Sequence, residues 1–132
     1  MSVDVGAEMT SILVVDDSTA MRQMVSLTLS RAGFAIDEAE DGVVALNMLK
    51  QNNTEYKLLI TDVNMPNMDG ISLVKETRQL VKYKFSPILV LTTESGDDKK
   101  LQGKEAGATG WIVKPFDPTQ LVVVVNKVLG LH

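Results

Sequence analysis

Short apolar runs recur along the chain, separated by longer stretches in which apolar and polar residues mix. The runs are Ile12–Val15, Ala35–Ala39, Leu58–Ile60, Ile88–Leu91 and Trp111–Val113. Most are continuously apolar and rich in strand formers, as expected of strands covered on both faces in a parallel sheet. Ala35–Ala39 differs, because Asp37 and Glu38 interrupt it. It is predicted as an edge strand, where charge is tolerated.

The intervening stretches carry helical spacing. Met21, Met24, Val25 and Leu29 lie on one face, with Asp17 or Ser18 as N-cap. Asp41 can cap a second helix bearing Ala45, Leu46 and Leu49. Leu73, Val74 and Thr77 mark a third, and Asp117 with Pro118 opens the last. The alternation predicts an α/β fold, (βα)₅, with right-handed crossovers and helices on both sheet faces. Residues 1–10 read as a flexible leader and 11–132 as a single domain, without internal repeats. The segment Gly96–Ala106 is the weakest helix. Leu101 is nearly its whole apolar content, and Gly103 costs about 1 kcal/mol relative to alanine in a helix interior. It is predicted to be marginal and mobile.

Composition narrows the function classes. The net charge is −4, which disfavours sequence-independent nucleic-acid binding. There is no cysteine, so disulfides, zinc–thiolate sites and cysteine catalysis are excluded. The single histidine is the terminal His132. The apolar runs are too short to span a membrane, and the first ten residues lack a signal-peptide pattern. A cytoplasmic location follows as the expectation.

The acids are placed informatively. Asp16 and Asp17 follow the first run directly, and Asp62 follows Leu58–Thr61. In open parallel sheets, sites form at the carboxyl ends of strands where the strand order reverses. If the two strands are neighbours, these carboxylates converge and need a cation or a proton. An all-oxygen cluster suits a hard ion such as Mg²⁺. Thr92 ends the fourth run with a hydroxyl, and Lys114 ends the fifth with an ammonium that can pair with Asp62. Such a set fits phosphoryl transfer, which needs mainly positioning and charge neutralisation. A carboxylate can itself be the nucleophile. Each residue also has a plainer role. The Asp pair can be a turn and cap, Asp62 loop chemistry, Thr92 a strand-end hydroxyl, and Lys114 a solvated cation. Their shared position at strand ends weighs against the plainer set and leaves the two readings about level.

The strings Val14-Val15-Asp16-Asp17-Ser18, Thr61-Asp62-Val63-Asn64-Met65-Pro66-Asn67-Met68-Asp69-Gly70, Leu91-Thr92-Thr93-Glu94 and Val113-Lys114-Pro115-Phe116 tip that balance. In order and spacing they resemble the receiver domain of two-component response regulators, and most closely its stand-alone, CheY-like chemotaxis branch. The likeness runs from about residue 10 to the end. It implies a flavodoxin-like sheet of order 2-1-3-4-5. It also implies that Asp62 accepts a phosphoryl group from a histidine kinase of the CheA-like kind or from a small donor such as acetyl phosphate. In this resemblance Asp17, Asp62 and the backbone carbonyl of Asn64 match direct Mg²⁺ ligands, and Asp16 matches the acid holding a metal-bound water. Thr92 matches the switch hydroxyl, and Lys114 the lysine before a cis Lys114–Pro115 bond. Asn64 and Glu94 match positions that tune self-dephosphorylation. The implied protein is a phosphoprotein with self-catalysed phosphotransfer, not an enzyme acting on other substrates.

Two departures stand out. Trp111 stands where the family often has a smaller aromatic that reports the switch; the plainer reading is a static, partly buried ring. The last helix reads Leu121-Val122-Val123-Val124-Val125, with Leu121, Val125, Val128 and Leu129 assigned to the core. Exposed positions among Val122, Val123 and Val124 would form an apolar partner patch with Trp111, where relatives carry charges; the plainer reading is a wider buried face or β-branched drift. That leaves a flagellar-motor target, a phosphate-sink role and another chemosensory partner all open. A monomer is expected, with the last helix as the place for a dimer contact. A pseudo-receiver that only binds partners remains the main alternative. A small acid-cluster phosphatase, with an Asp nucleophile and a second acid two residues on, fails because Asn64 stands in that second place. A flavodoxin-like carrier fails for want of a phosphate loop after the first strand.

Overall fold

The computed structural model describes residues 9–51, 53–93 and 97–131. Five parallel strands alternate with five helices: β1 Ser11–Val15, α1 Thr19–Arg31, β2 Ala35–Ala39, α2 Gly42–Lys50, β3 Leu58–Thr61, α3 Gly70–Arg78, β4 Ile88–Thr92, α4 Asp97–Ala106, β5 Gly110–Val113 and α5 Pro118–Val128. The strand order is β2-β1-β3-β4-β5. This is the doubly wound flavodoxin-like arrangement that the alternation and the resemblance imply. β2 is indeed an edge strand. The expected leader lies outside the described residues except for Met9 and Thr10, as do Glu94, Gly96 and His132.

The period-two geometry of strands splits the core in two. From β1, Leu13 and Val15 point into a cluster with Ala45, Leu49, Leu73 and Val74 of α2 and α3. Ile12 and Val14 point the other way, onto Val25 and Leu29 of α1 and Leu121 and Val125 of α5. Both faces of the central strands are therefore covered, which is why their sequences read as unbroken apolar runs.

Local chemistry sets the helix starts. Ser18 caps α1 through Met21 N–H, Asp41 caps α2, Asp69 caps α3 through Ser72 N–H, and Asp117 caps α5 ahead of Pro118. Each such cap stabilises by about 1 kcal/mol. Of the two N-cap candidates for α1, the structure uses Ser18 and leaves Asp17 free of that role.

The valine patch expected on α5 is only partly present. Val122 and Val124 are half-buried against the α1–α5 core, and Val123 alone of the three is exposed, at 60%. α5 tucks two of the valines into the seams flanking its core face, so the apolar patch expected there shrinks to one residue. Leu101, nearly the whole apolar content of α4, is 54% exposed. α4 instead turns Gly103 and Ala106 inward. Gly103 has a packing reason: a Cβ on it would stand 2.8 Å from Cζ3 of Trp111.

Candidate functional site: a carboxylate cluster at the strand ends

Register brings the acids together. Val15 of β1 pairs with Thr61 of β3, so the residues that follow, Asp16 and Asp62, leave the sheet side by side. The strand order reverses between β1 and β3, the place where open α/β sheets form their crevices. Backbone bonds carry the registration past the strands: Asp62 N–H donates to Val15 O at 3.0 Å, and Asp16 N–H to Ala39 O at 3.2 Å. Carboxylate oxygens of Asp16, Asp17 and Asp62 all lie within 4.8 Å of one another.

The three acids differ in setting. Asp16 is 4% exposed, Asp62 is half-buried and Asp17 is exposed. Asp16 Oδ1 accepts Ser18 N–H at 2.9 Å, and its Oδ2 meets Lys114 Nζ at 3.0 Å. Lys114 Nζ also lies 3.5 Å from Asp62 Oδ2. The expected pairing of Lys114 with Asp62 is present, but its closer contact is Asp16, the more buried carboxylate and the one in greater need of a counter-ion. Lys114 reaches the site because β5 carries it there, with Lys114 N–H still bonded to Thr92 O at 2.8 Å and the Lys114–Pro115 bond cis. Thr92 is fully buried at the end of β4, next in the sheet to β3. Asn64 is exposed in the loop after Asp62, and Trp111 is half-buried on β5.

Asp62 is the group under tension. Burial raises its pKa above the ordinary aspartate value; Lys114 pulls it down, Asp16 pushes it up, and the Val63 N–H, 2.8 Å from Oδ1, lowers it. The net rise means that the carboxylate lacks positive charge. A cation among the three acids would supply it. The donors are all hard oxygens, and exposed Asp17 leaves room for water, which fits Mg²⁺.

Sequence reasoning missed three residues that shape the site. Arg22 of α1 donates from Nη1 to Asp16 O at 2.7 Å while its Nε pairs with Glu38 at 2.9 Å, tying the loop after β1 to the edge strand. Asn67 donates to Asp41 across two loops. Gly70 packs its bare Cα directly on the Asp62 carbonyl, where a Cβ would not fit. The conspicuous Met-Pro-Asn-Met-Asp-Gly run signalled the last two without saying what they touch.

Residues 12–126 match the response regulator receiver domain family. The chain belongs to that family. It is 45% identical over 120 residues to a chemotaxis protein CheY homolog of Campylobacter jejuni, covering 90% of this chain and 92% of the relative. It is also 45% identical over 122 residues to chemotaxis protein CheY1 of Helicobacter pylori, covering 92% and 98%. The structure of CheY4 of Vibrio cholerae superposes with a TM-score of 0.87 at 47% identity, covering 92% of this receiver and 99% of that chain. Among the described residues of the receiver no helix is long and apolar enough to cross a membrane.

Proposed function

We propose that this receiver accepts a phosphoryl group on Asp62, with Mg²⁺ held by Asp17, Asp62 and the Asn64 carbonyl and, through water, by Asp16. The observation that carries the reading is the convergence of three carboxylates at the β1–β3 switch point, with the Lys114 ammonium 3.0 Å from one and 3.5 Å from another. Asp62 is the nucleophile because, unlike exposed Asp17, it meets Lys114 and has one oxygen fixed by a backbone N–H, and, unlike buried Asp16, it is half-exposed and open to a donor. Its other oxygen, Oδ2, attacks phosphorus, and the bond from phosphorus to the donor's histidine nitrogen, or to the acetyl oxygen, breaks with its electron pair staying on the leaving group. Mg²⁺, when bound, neutralises charge on the phosphoryl oxygens. Lys114 follows the charge onto the new group, and the Thr92 hydroxyl closes on it. Hydrolysis of the acyl phosphate, tuned by Asn64 and Glu94, resets the protein.

The relatives' names support a chemotaxis role, in which a CheA-like histidine kinase is the donor in the cytoplasm. The phosphorylated form binds its target through the face made by α4, β5 and α5, with Trp111 and Val123 as its apolar points. The protein is then a signalling switch and not an enzyme for other substrates. The test is intact mass after incubation with acetyl phosphate and Mg²⁺. The wild type should gain one phosphoryl group and Asp62→Asn none; an unmodified wild type would leave only a binding module.

A further inference from the structure

One carboxylate outside the acid cluster is held as firmly as those inside it. Asp41 is 6% exposed, and both of its oxygens are engaged. Oδ1 accepts Val44 N–H at 2.9 Å and closes the first turn of α2. Oδ2 accepts the Asn67 side-chain amide at 2.8 Å. Asn67 sits at φ 67°, in the left-handed region that non-glycine residues occupy only when their surroundings hold them there. Beside this bond, Gly42 lies so close that a Cβ on it would stand 2.7 Å from the Met68 carbonyl oxygen. The N-terminus of α2 therefore grips the loop between β3 and α3 by one side-chain bond and one backbone contact.

The ends of that loop are secured independently. Asp62 N–H bonds Val15 O, Gly70 N–H bonds Val63 O at 2.8 Å, and Asp69 caps α3. The grip of α2 falls on the middle of the loop, at Asn67 and Met68. Asn64 is the residue whose carbonyl the proposed metal site uses, and it stands between the secured start and the gripped middle.

We propose that Asp41 is a positioning residue for the acid site, acting through Asn67 to hold the loop that presents Asn64 beside Asp62. This rests on the metal-site reading above. Asp41 touches no reacting atom. Mg²⁺ demands near-ideal octahedral geometry, so a loop that wanders weakens binding even with every carboxylate in place. Residues that orient ligands from behind commonly control affinity in this way.

Two variants open the grip from opposite sides and keep the fold. Asn67→Gly removes the amide, keeps the positive φ without strain, and leaves Asp41 capping α2. Asp41→Ser keeps an oxygen for the cap but is too short to reach Asn67 as well. Mg²⁺ binding is measured by calorimetry on the full chain, and amide hydrogen exchange of residues 64–68 on the metal-free chain. Each variant should weaken Mg²⁺ binding by about tenfold. The double variant should be no weaker than either single, since one bond is lost in all three. The Met68 amide should exchange faster without metal while the α2 amides stay near wild type. Wild-type Mg²⁺ affinity in both single variants, or additive loss in the double, overturns the proposal. A wild type that binds no Mg²⁺ overturns the site reading itself, an outcome distinguishable from the first.

Discussion

The acid end of the sheet and the α4–β5 face are built on opposite principles. At the acid end, Asp16 and Asp62 leave strands whose last residues, Val15 and Thr61, are 1% and 0% exposed. Around them the polar groups are cross-braced by Lys114, Arg22, Ser18 and the Val63 N–H. At the other face, α4 buries only Gly103 and Ala106 among its described side chains, and Leu101 points to water. Trp111 lies across Gly103 there, so close that a side chain at that position would have to displace the ring. Elements with few buried apolar contacts open at low free energy, whereas core strands open only with the whole fold. The molecule thus separates a part braced to hold its charges in place from a part that few buried contacts hold.

The largest effect should come from truncating the same side chain in each region. Leu13→Ala in the fully buried centre of β1 should cost about 2–5 kcal/mol in urea unfolding. Leu101→Ala on α4 should stay within about 0.5 kcal/mol. A comparable loss at Leu101 would break the contrast.

Gly103→Ala comes next. The new methyl collides with the Trp111 ring and should cost about 1–3 kcal/mol as overpacking, against a helix-propensity gain of about 1 kcal/mol. Emission from Trp111, the only tryptophan, should shift to longer wavelength as the ring is pushed outward. The stability cost should largely disappear when Gly103→Ala is made in a Trp111→Leu background, where the ring it collides with is gone. Unchanged emission in the single variant would mean that α4 yields without disturbing the ring.

The smallest effects sharpen the acid end by its pH dependence, because Asp62 and Asp41 are shifted in opposite directions. Asp62 is raised, so its folded form holds a proton more tightly than the unfolded chain does. Its contribution is present below the ordinary aspartate value near 3.8 and is lost as the pH rises through its folded value. Asp62→Asn should therefore raise the unfolding midpoint of the metal-free protein at pH 7, by less as the pH falls toward 4. Asp41 is lowered, first by the Val44 N–H and then by Asn67. Its contribution is present above 3.8 and fades as the pH drops through its folded value. Asp41→Ala should cost about 1 kcal/mol at pH 7. That difference should shrink on acidification below 4. Parallel pH profiles for the two variants would refute the opposite settings.

Much of this architecture was legible in the residue pattern. The five apolar runs match the observed strands to within a residue at either end, because a strand covered on both faces leaves no polar position to blur its limits. The caps Ser18, Asp41 and Asp117 were legible because capping is a local bond between near neighbours. α5 was less legible: four consecutive valines give no contrast between faces, so helical spacing named its core face but not the burial of Val122 and Val124. Gly103 read as a defect in a helix until Trp111 was found against it, eight positions later and on another element.

The sequence by itself determined the alternation of strands and helices, the strand-end location of Asp16, Asp17, Asp62, Thr92 and Lys114, and, through its motifs, the family. These follow from periodicity and chemistry within a few residues of one another. Only the tertiary structure decided that Lys114 leans first on Asp16, that Arg22 and Asn67 brace the site's two loops, and that α4 is shaped to the Trp111 ring. Each of these joins residues on different elements or loops, and their distances are set by the register of β1, β3 and β5 and by how the helices settle on the sheet, which no local pattern encodes.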